Sequence, residues 1–186
     1  MTLIELAETV IEPVTVAEAR SWCRIERDDE DELVASLVRA ARQAVETETG
    51  LVLVRRAFRL ALDPVPPGGW IEVARRPLQV MVGVTAYGSD GAPIVFGEAD
   101  AIIERALGIE AIRLSPAVRA VAANGVDVDF EAGYAPGEAP GDLLLALKRT
   151  IAASYEVRGA TGEGWRPAVL PPSAQDLTRP HRRMRL

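Results

Sequence analysis

Residues able to make or break bonds are few in this chain and poorly placed to cooperate. His181 is its only histidine and Cys23 its only cysteine. A hydrolytic triad needs a nucleophile, a base and an orienting acid around one pocket. His181 lies in a basic C-terminal tail with no surrounding element to build that pocket. Cys23, beside Trp22 on an apolar helix face, reads as a small core residue rather than a nucleophile. One Cys and one His do not furnish an ordinary zinc ligand set. The run Asp28-Asp29-Glu30-Asp31-Glu32 lacks the spaced oxygens and central glycine of a calcium loop. Asp127 and Asp129 share a strand face and could exchange protons, but a solvated face explains them, and alternating charge discourages edge pairing. Gly159–Gly164 follows a helix and has no Lys-Ser/Thr ending, so it is read as a hinge and not a phosphate loop. The expectation is a protein with no catalytic residues, no metal and no cofactor.

The elements around these residues follow from periodicity. Thr15 and Glu18 have capping-box spacing, which predicts a helix to about Arg24 with Ala19, Trp22 and Cys23 on one side. The acidic run suits the positive end of a second helix. Leu33, Leu37, Ala41, Ala44 and Val45 recur along it, and Gly50 ends it. From Val54 the period becomes two: Phe58, Leu60 and Leu62 alternate with smaller or charged residues. Pro64–Gly69 is a turn. Short strands follow at Ile71–Val73, Val80–Val84, 92–96, 101–104 and 109–114. Val126–Ala132 is the clearest strand, with Val126, Val128, Phe130 and Ala132 on one face and Asp127, Asp129 and Glu131 on the other. A Gly/Pro loop over 133–141 leads to a helix over 142–158 with Leu144, Leu147, Ile151 and Tyr155 on a stripe.

The expected fold class is α+β: a small helical bundle of two N-terminal helices and the C-terminal helix, with an inserted block of short antiparallel strands and an extended tail. The expected divisions are residues 1–53, a helical part; 54–133, the β insertion; 134–159, a helix packing back on the first two; and 160–186, a basic tail.

Charge narrows the function classes. The 186 residues carry 21 basic and 27 acidic side chains, for a net −6. Four of the arginines lie in the last eight residues, so without them 17 basic face 27 acidic residues and the body stands at −10. Such a body is unsuited to binding nucleic acid over its whole surface. Lysine occurs once, at Lys148, against 20 arginines, a skew typical of GC-rich bacterial genomes. No apolar run reaches the roughly 20 residues of a membrane span, and no signal peptide is evident. The expectation is synthesis in the bacterial cytoplasm, with no membrane partner.

The tail mixes prolines with Arg166, Val169, Leu170, Leu177, Arg179, Arg182, Arg183, Met184, Arg185 and Leu186. A solvated end is one reading. The recurring apolar residues favour an arm that orders on a partner. A nucleic-acid contact by the arginines is a third.

Set in order, several of these segments resemble phage head–tail connector (adaptor) proteins of a prophage or gene transfer agent. The carrying residues are Pro13–Arg20, Arg24-Ile25-Glu26, Asp28–Asp31, Thr49-Gly50, Phe58–Leu62, Arg76–Val80 and Glu131–Tyr134 with the helix that follows. The resemblance spans about 10–158. It implies a structural subunit, not an enzyme, in a dodecameric ring at a particle neck. Its partners would be copies of itself, the portal protein of a DNA-filled capsid and a stopper or tail-completion protein, with double-stranded DNA passing through. Some relatives are wholly helical, so the strand block departs from them. On this reading the tail residues named above dock on the portal. Asp28, Asp29, Asp31, Asp127, Asp129 and Glu131 line an acidic channel along which a polyanion slides. Two rivals are a DNA-binding accessory protein acting through the tail and a small hydrolase with carboxylates in the strand block.

Overall fold

The computed structural model describes residues 1–6, 11–27, 29–106, 109–157 and 170–182. In chain order the elements are β1 (Thr2–Glu5), α1 (Val16–Cys23), α2 (Asp31–Thr49), β2 (Arg56–Leu62), β3 (Trp70–Glu72), β4 (Leu78–Tyr87), β5 (Pro93–Phe96), β6 (Ala101–Ala106), β7 (Ile109–Leu114), α3 (Pro116–Val121), β8 (Val126–Ala132), α4 (Gly141–Val157) and α5 (Pro172–Thr178). The fold is mixed α+β, and it divides into two compact units. One comprises Met1–Thr9 with Arg55–Gly133, the other Val10–Val54 with Tyr134–Leu186.

The helical unit is built from local signals that agree with one another. Thr15 and Glu18 form the capping box: the Thr15 hydroxyl accepts from the Glu18 N–H at 3.1 Å, and the Glu18 carboxylate accepts from the Thr15 N–H at 2.8 Å. Arg24 ends α1 in the left-handed region at φ 55°, and Gly50 ends α2 at φ 70° with its N–H on the Glu46 carbonyl. The buried stripe of α2 is Val34, Val38, Ala41 and Val45, spaced for one helical face. Leu37 and Ala44 flank it. This stripe meets Ala19 of α1, Leu143, Ala146, Leu147 and Ile151 of α4, and Leu170 and Ala174 beside and within α5. Trp22 is not on the covered side of α1: it stays 46% exposed.

Helix α5 corrects the expectation of an extended tail. Pro171 and Pro172 read as breakers, yet they occupy the N-cap and the first turn, where a missing N–H costs nothing. Leu170, Ala174 and Leu177 then follow at i, i+4 and i+7, an amphipathic pattern too short to stand out.

A polar cluster inside the helical unit was not legible in the sequence. Arg42, almost fully buried, reaches Glu12 at 2.7 Å and Glu46 at 3.1 Å. The second Glu46 oxygen accepts from the Leu53 N–H at 2.8 Å. One arginine and two carboxylates thus fasten α2 to the segment before α1 and to the bend between Gly50 and β2.

The strand unit holds two antiparallel sheets, ordered β1-β2-β8-β4-β5 and β3-β7-β6. In β2 and β8 the burial alternates residue by residue, so Phe58, Leu60, Leu62, Val126, Val128, Phe130 and Ala132 all face inward. Phe58 and Phe130 are register partners with ring centroids 5.7 Å apart. Strand β1, which the sequence reading did not assign, runs antiparallel to β2 and pairs Glu5 with buried Arg56 at 2.6 Å. Four residues are too few to display a period.

Strand β4 departs from simple alternation. Its register on β8 shifts between Leu78 and Val80 and again between Met81 and Gly83. Each irregularity adds a residue and resets which face is inside. Leu78, Met81, Val84 and Ala86 are buried, while Val80 and Val82 point to solvent, contrary to the even Val80-Val82-Val84 spacing. Helix α3 was likewise unassigned; Ser115 caps it and Pro116 begins it. Glycine is required at Gly125, whose φ is +92° and where a Cβ would stand 2.4 Å from the Leu62 carbonyl oxygen.

Removing the cation from the buried cluster leaves two carboxylates with nothing to balance them. Arg42→Ala is therefore expected to destabilise the protein by about 3–5 kcal/mol, read from the urea midpoint.

Candidate interaction surfaces

Three groups of residues were candidates from the sequence, and the structure gives each a definite setting. The first is the acidic face of β8. Strand pairing sets Arg59 directly opposite Asp129, and the guanidinium donates to both carboxylate oxygens at 2.7 Å. Arg55 pairs with Glu131 at 2.6 Å. The Tyr87 hydroxyl, on the other neighbouring strand, donates to Asp127 at 2.9 Å. All three carboxylates therefore have a partner on an adjacent strand or at its start. The Asp129 hydrogen bonds and charge hold Arg59 even more firmly protonated than usual. The Asp127 hydrogen bond and charge raise the Tyr87 phenol above its ordinary value of 10.0. The partners lay on the polar positions of β2 and β4; only knowledge of which strands pair would have revealed them.

The second group is the turn leading into α2. Asp28 lies outside the described residues. Asp29 is bound by Arg27, whose hydrogen bond and charge lower its carboxyl. Asp31 faces Arg20 at 3.1 Å. Glu30 accepts from the Tyr155 hydroxyl, which ties the start of α2 to α4. This run therefore does more than complement the helix dipole.

The third group is the tail. Arg166, Val169, Arg183, Met184, Arg185 and Leu186 lie outside the described residues. Leu170 is buried and Leu177 partly buried in the chain's own helical core, so neither presents a free apolar side chain to another protein. Arg179 is exposed. Arg182 pairs with Glu48. His181 Nε2 stands 2.6 Å from Asp142 Oδ2. Burial acts to raise the Asp142 carboxyl, but the His181 hydrogen bond and charge outweigh it and the net shift is downward. Arg149 donates to the Ser173 carbonyl at 2.9 Å. Residues 170–182 are thus fixed on the helical unit by apolar and polar contacts together.

Cys23 is half-buried, and burial, with the charge of Glu156 second, raises its thiol. Among the described residues no three His, Cys, Asp or Glu side chains are grouped to hold a metal ion. No helix among them is long and apolar enough to cross a membrane.

A raised phenol value means the fold favours neutral Tyr87. Its contribution is complete below about pH 10 and is lost as the pH climbs through the folded value. Phenolate absorbance in wild type should show one tyrosine titrating late, and Asp127→Asn should bring that step back to an earlier pH.

Residues 13–94 match the family of phage gp6-like head-tail connector proteins. No curated protein sequence matches the chain. Three solved structures of gene transfer agent (GTA) particles contain chains of similar fold. A chain from the virion of a native GTA particle is 25% identical with a TM-score of 0.82. One from the neck of an empty GTA particle computed with C6 symmetry is 24% identical at 0.80. One from the neck of a native GTA particle computed with C12 symmetry is 24% identical at 0.76. Each alignment covers 100% of this chain and 97% of the other. Residues 13–94 thus resemble phage gp6-like head–tail connectors in sequence, and the chain as a whole resembles chains of GTA particles in fold.

Proposed function

We propose that this protein is a structural subunit of a phage-like particle neck, forming a ring between the portal of a DNA-filled capsid and the tail-side stopper. The observation that carries this reading is a double match: the connector family over residues 13–94, and the whole fold, end to end, on chains from GTA particles. A ring of copies places a different face of each subunit against each neighbour, so both units would offer surface to assembly.

Two parts of the reading take a more specific form from the geometry. A lumen lined by Asp127, Asp129 and Glu131 would present little net field, because Arg59 and Arg55 balance two of the three. Asp29 and Asp31 at the turn before α2 are likewise paired, with Arg27 and Arg20, so a lumen lined by these carboxylates would carry far less negative charge than the sequence suggests. Portal docking by the tail would rest on Arg179 and on the residues flanking the packed segment, since Leu170 and Leu177 are engaged at home. One of the arginines a DNA-binding tail would use, Arg182, already faces Glu48.

Loss of the gene should leave DNA-filled heads without tails in electron micrographs of the particles. Normal tailing would contradict the role. Replacing residues 183–186 with glycine and serine tests the docking arm better than truncation after Val157, which would also uncover the core beneath Leu170 and Ala174. The replaced protein should keep its thermal midpoint yet fail to join heads to tails.

A further inference from the structure

The helical unit carries an open groove between α1 and α4, lined by Ala17, Glu18, Ser21, Trp22, Arg24 and Lys148. Its floor is rigid, because the capping box fixes the start of α1. The left-handed Arg24, whose N–H reaches the Arg20 and Ser21 carbonyls, fixes its end. Trp22 is 46% exposed there. An exposed Trp beside Arg is the composition of an interface anchor. Charge in the groove is positive on balance. Lys148 stands 3.9 Å from Glu18 Oε1, while the other Glu18 oxygen is engaged by the Thr15 N–H and hydroxyl at 2.8 and 3.0 Å. Arg24 is exposed and has no ion pair among the described residues.

A surface of complementary charge exists on the same unit. Arg20 holds the acidic turn through Asp31 at 3.1 Å and the Glu26 carbonyl at 3.3 Å. Arg20 and Trp22 are two residues apart on α1, hence about 200° apart around its axis. Glu26 and Glu32 on that turn are exposed, and their carboxylates form no ion pair among the described residues. Among the described residues Arg24 makes no ion pair with Glu26 or Glu32, so the basic, aromatic groove and these carboxylates do not satisfy each other within this copy. They can do so between copies related by rotation.

We propose that the groove of Trp22, Arg24 and Lys148 receives the acidic turn bearing Glu26 and Glu32 of a second copy, forming the head-to-tail contact of the ring. This rests on the ring reading above. Like charges facing across an interface cost several kcal/mol, and every 1.4 kcal/mol is tenfold. Arg24→Glu with Lys148→Glu should therefore lower the yield of tailed particles about tenfold or more, and so should Glu26→Lys with Glu32→Lys. All four changes together should restore it. Each purified variant should melt at the wild-type temperature, which separates lost contact from lost fold. As a second measurement, Trp22→Cys with Glu32→Cys on a Cys23→Ser background should give a ladder of cross-linked oligomers in particles, and neither single cysteine should.

Normal tailing by either charge-reversed pair, failure of the fourfold variant to recover while folded, or absence of the ladder from intact necks would overturn the contact and leave the neck role standing. Absence of the wild-type chain from the neck would overturn the neck role itself.

Discussion

The chain leaves the helical unit at Val54 and re-enters it at Tyr134, and the pairing of β2 with β8 is what permits this. Arg56 lies opposite Ala132, so the insertion closes within one residue pair of where it opened. The Tyr134 N–H then donates to the Val52 carbonyl, joining the two strands of the connection. The helical unit can complete its own core as though nothing had been inserted. The same pairing stacks Phe58 on Phe130 inside and sets Arg59 against Asp129 outside. A slip of one residue would reverse both faces at once.

That constraint also explains the behaviour of charge on this molecule. Its sequence looks acidic along β8, yet the β8 carboxylates have partners supplied by register. Exposed pairs of this kind contribute only about 0.2–1 kcal/mol each, so their larger effect is on the field the face presents. The buried Arg42–Glu12–Glu46 cluster differs in kind. It has little access to water, and breaking it costs more than its formation gains. It serves to fix where α2 sits against its neighbours.

Legibility in the sequence followed the range of the interaction. The capping box at Thr15 and Glu18, the Gly50 stop, and the alternation in β2 and β8 are contained within a few residues, and each stands as read. The strand through Val80–Val84 stands as read, but the outward setting of Val80 and Val82 was not legible, because irregular register depends on the partner strand. The partners of Asp129, Glu131 and Asp127 were hidden for the same reason, being as much as 76 residues away in the case of Arg55. Segment 170–178 was misread because two prolines signal interruption, whereas here they open a helix. The connector resemblance drew on the order of many weak local segments, which a single chain does preserve.

The central claim is that this protein works through surfaces shared with its own copies and its neighbours in a particle neck. Cryo-electron microscopy of purified particles, reconstructed at the neck without imposed symmetry, tests it most directly. The account predicts density that fits this chain, repeated around the axis between portal and tail. A resolved neck whose every ring is built from other chains would contradict it.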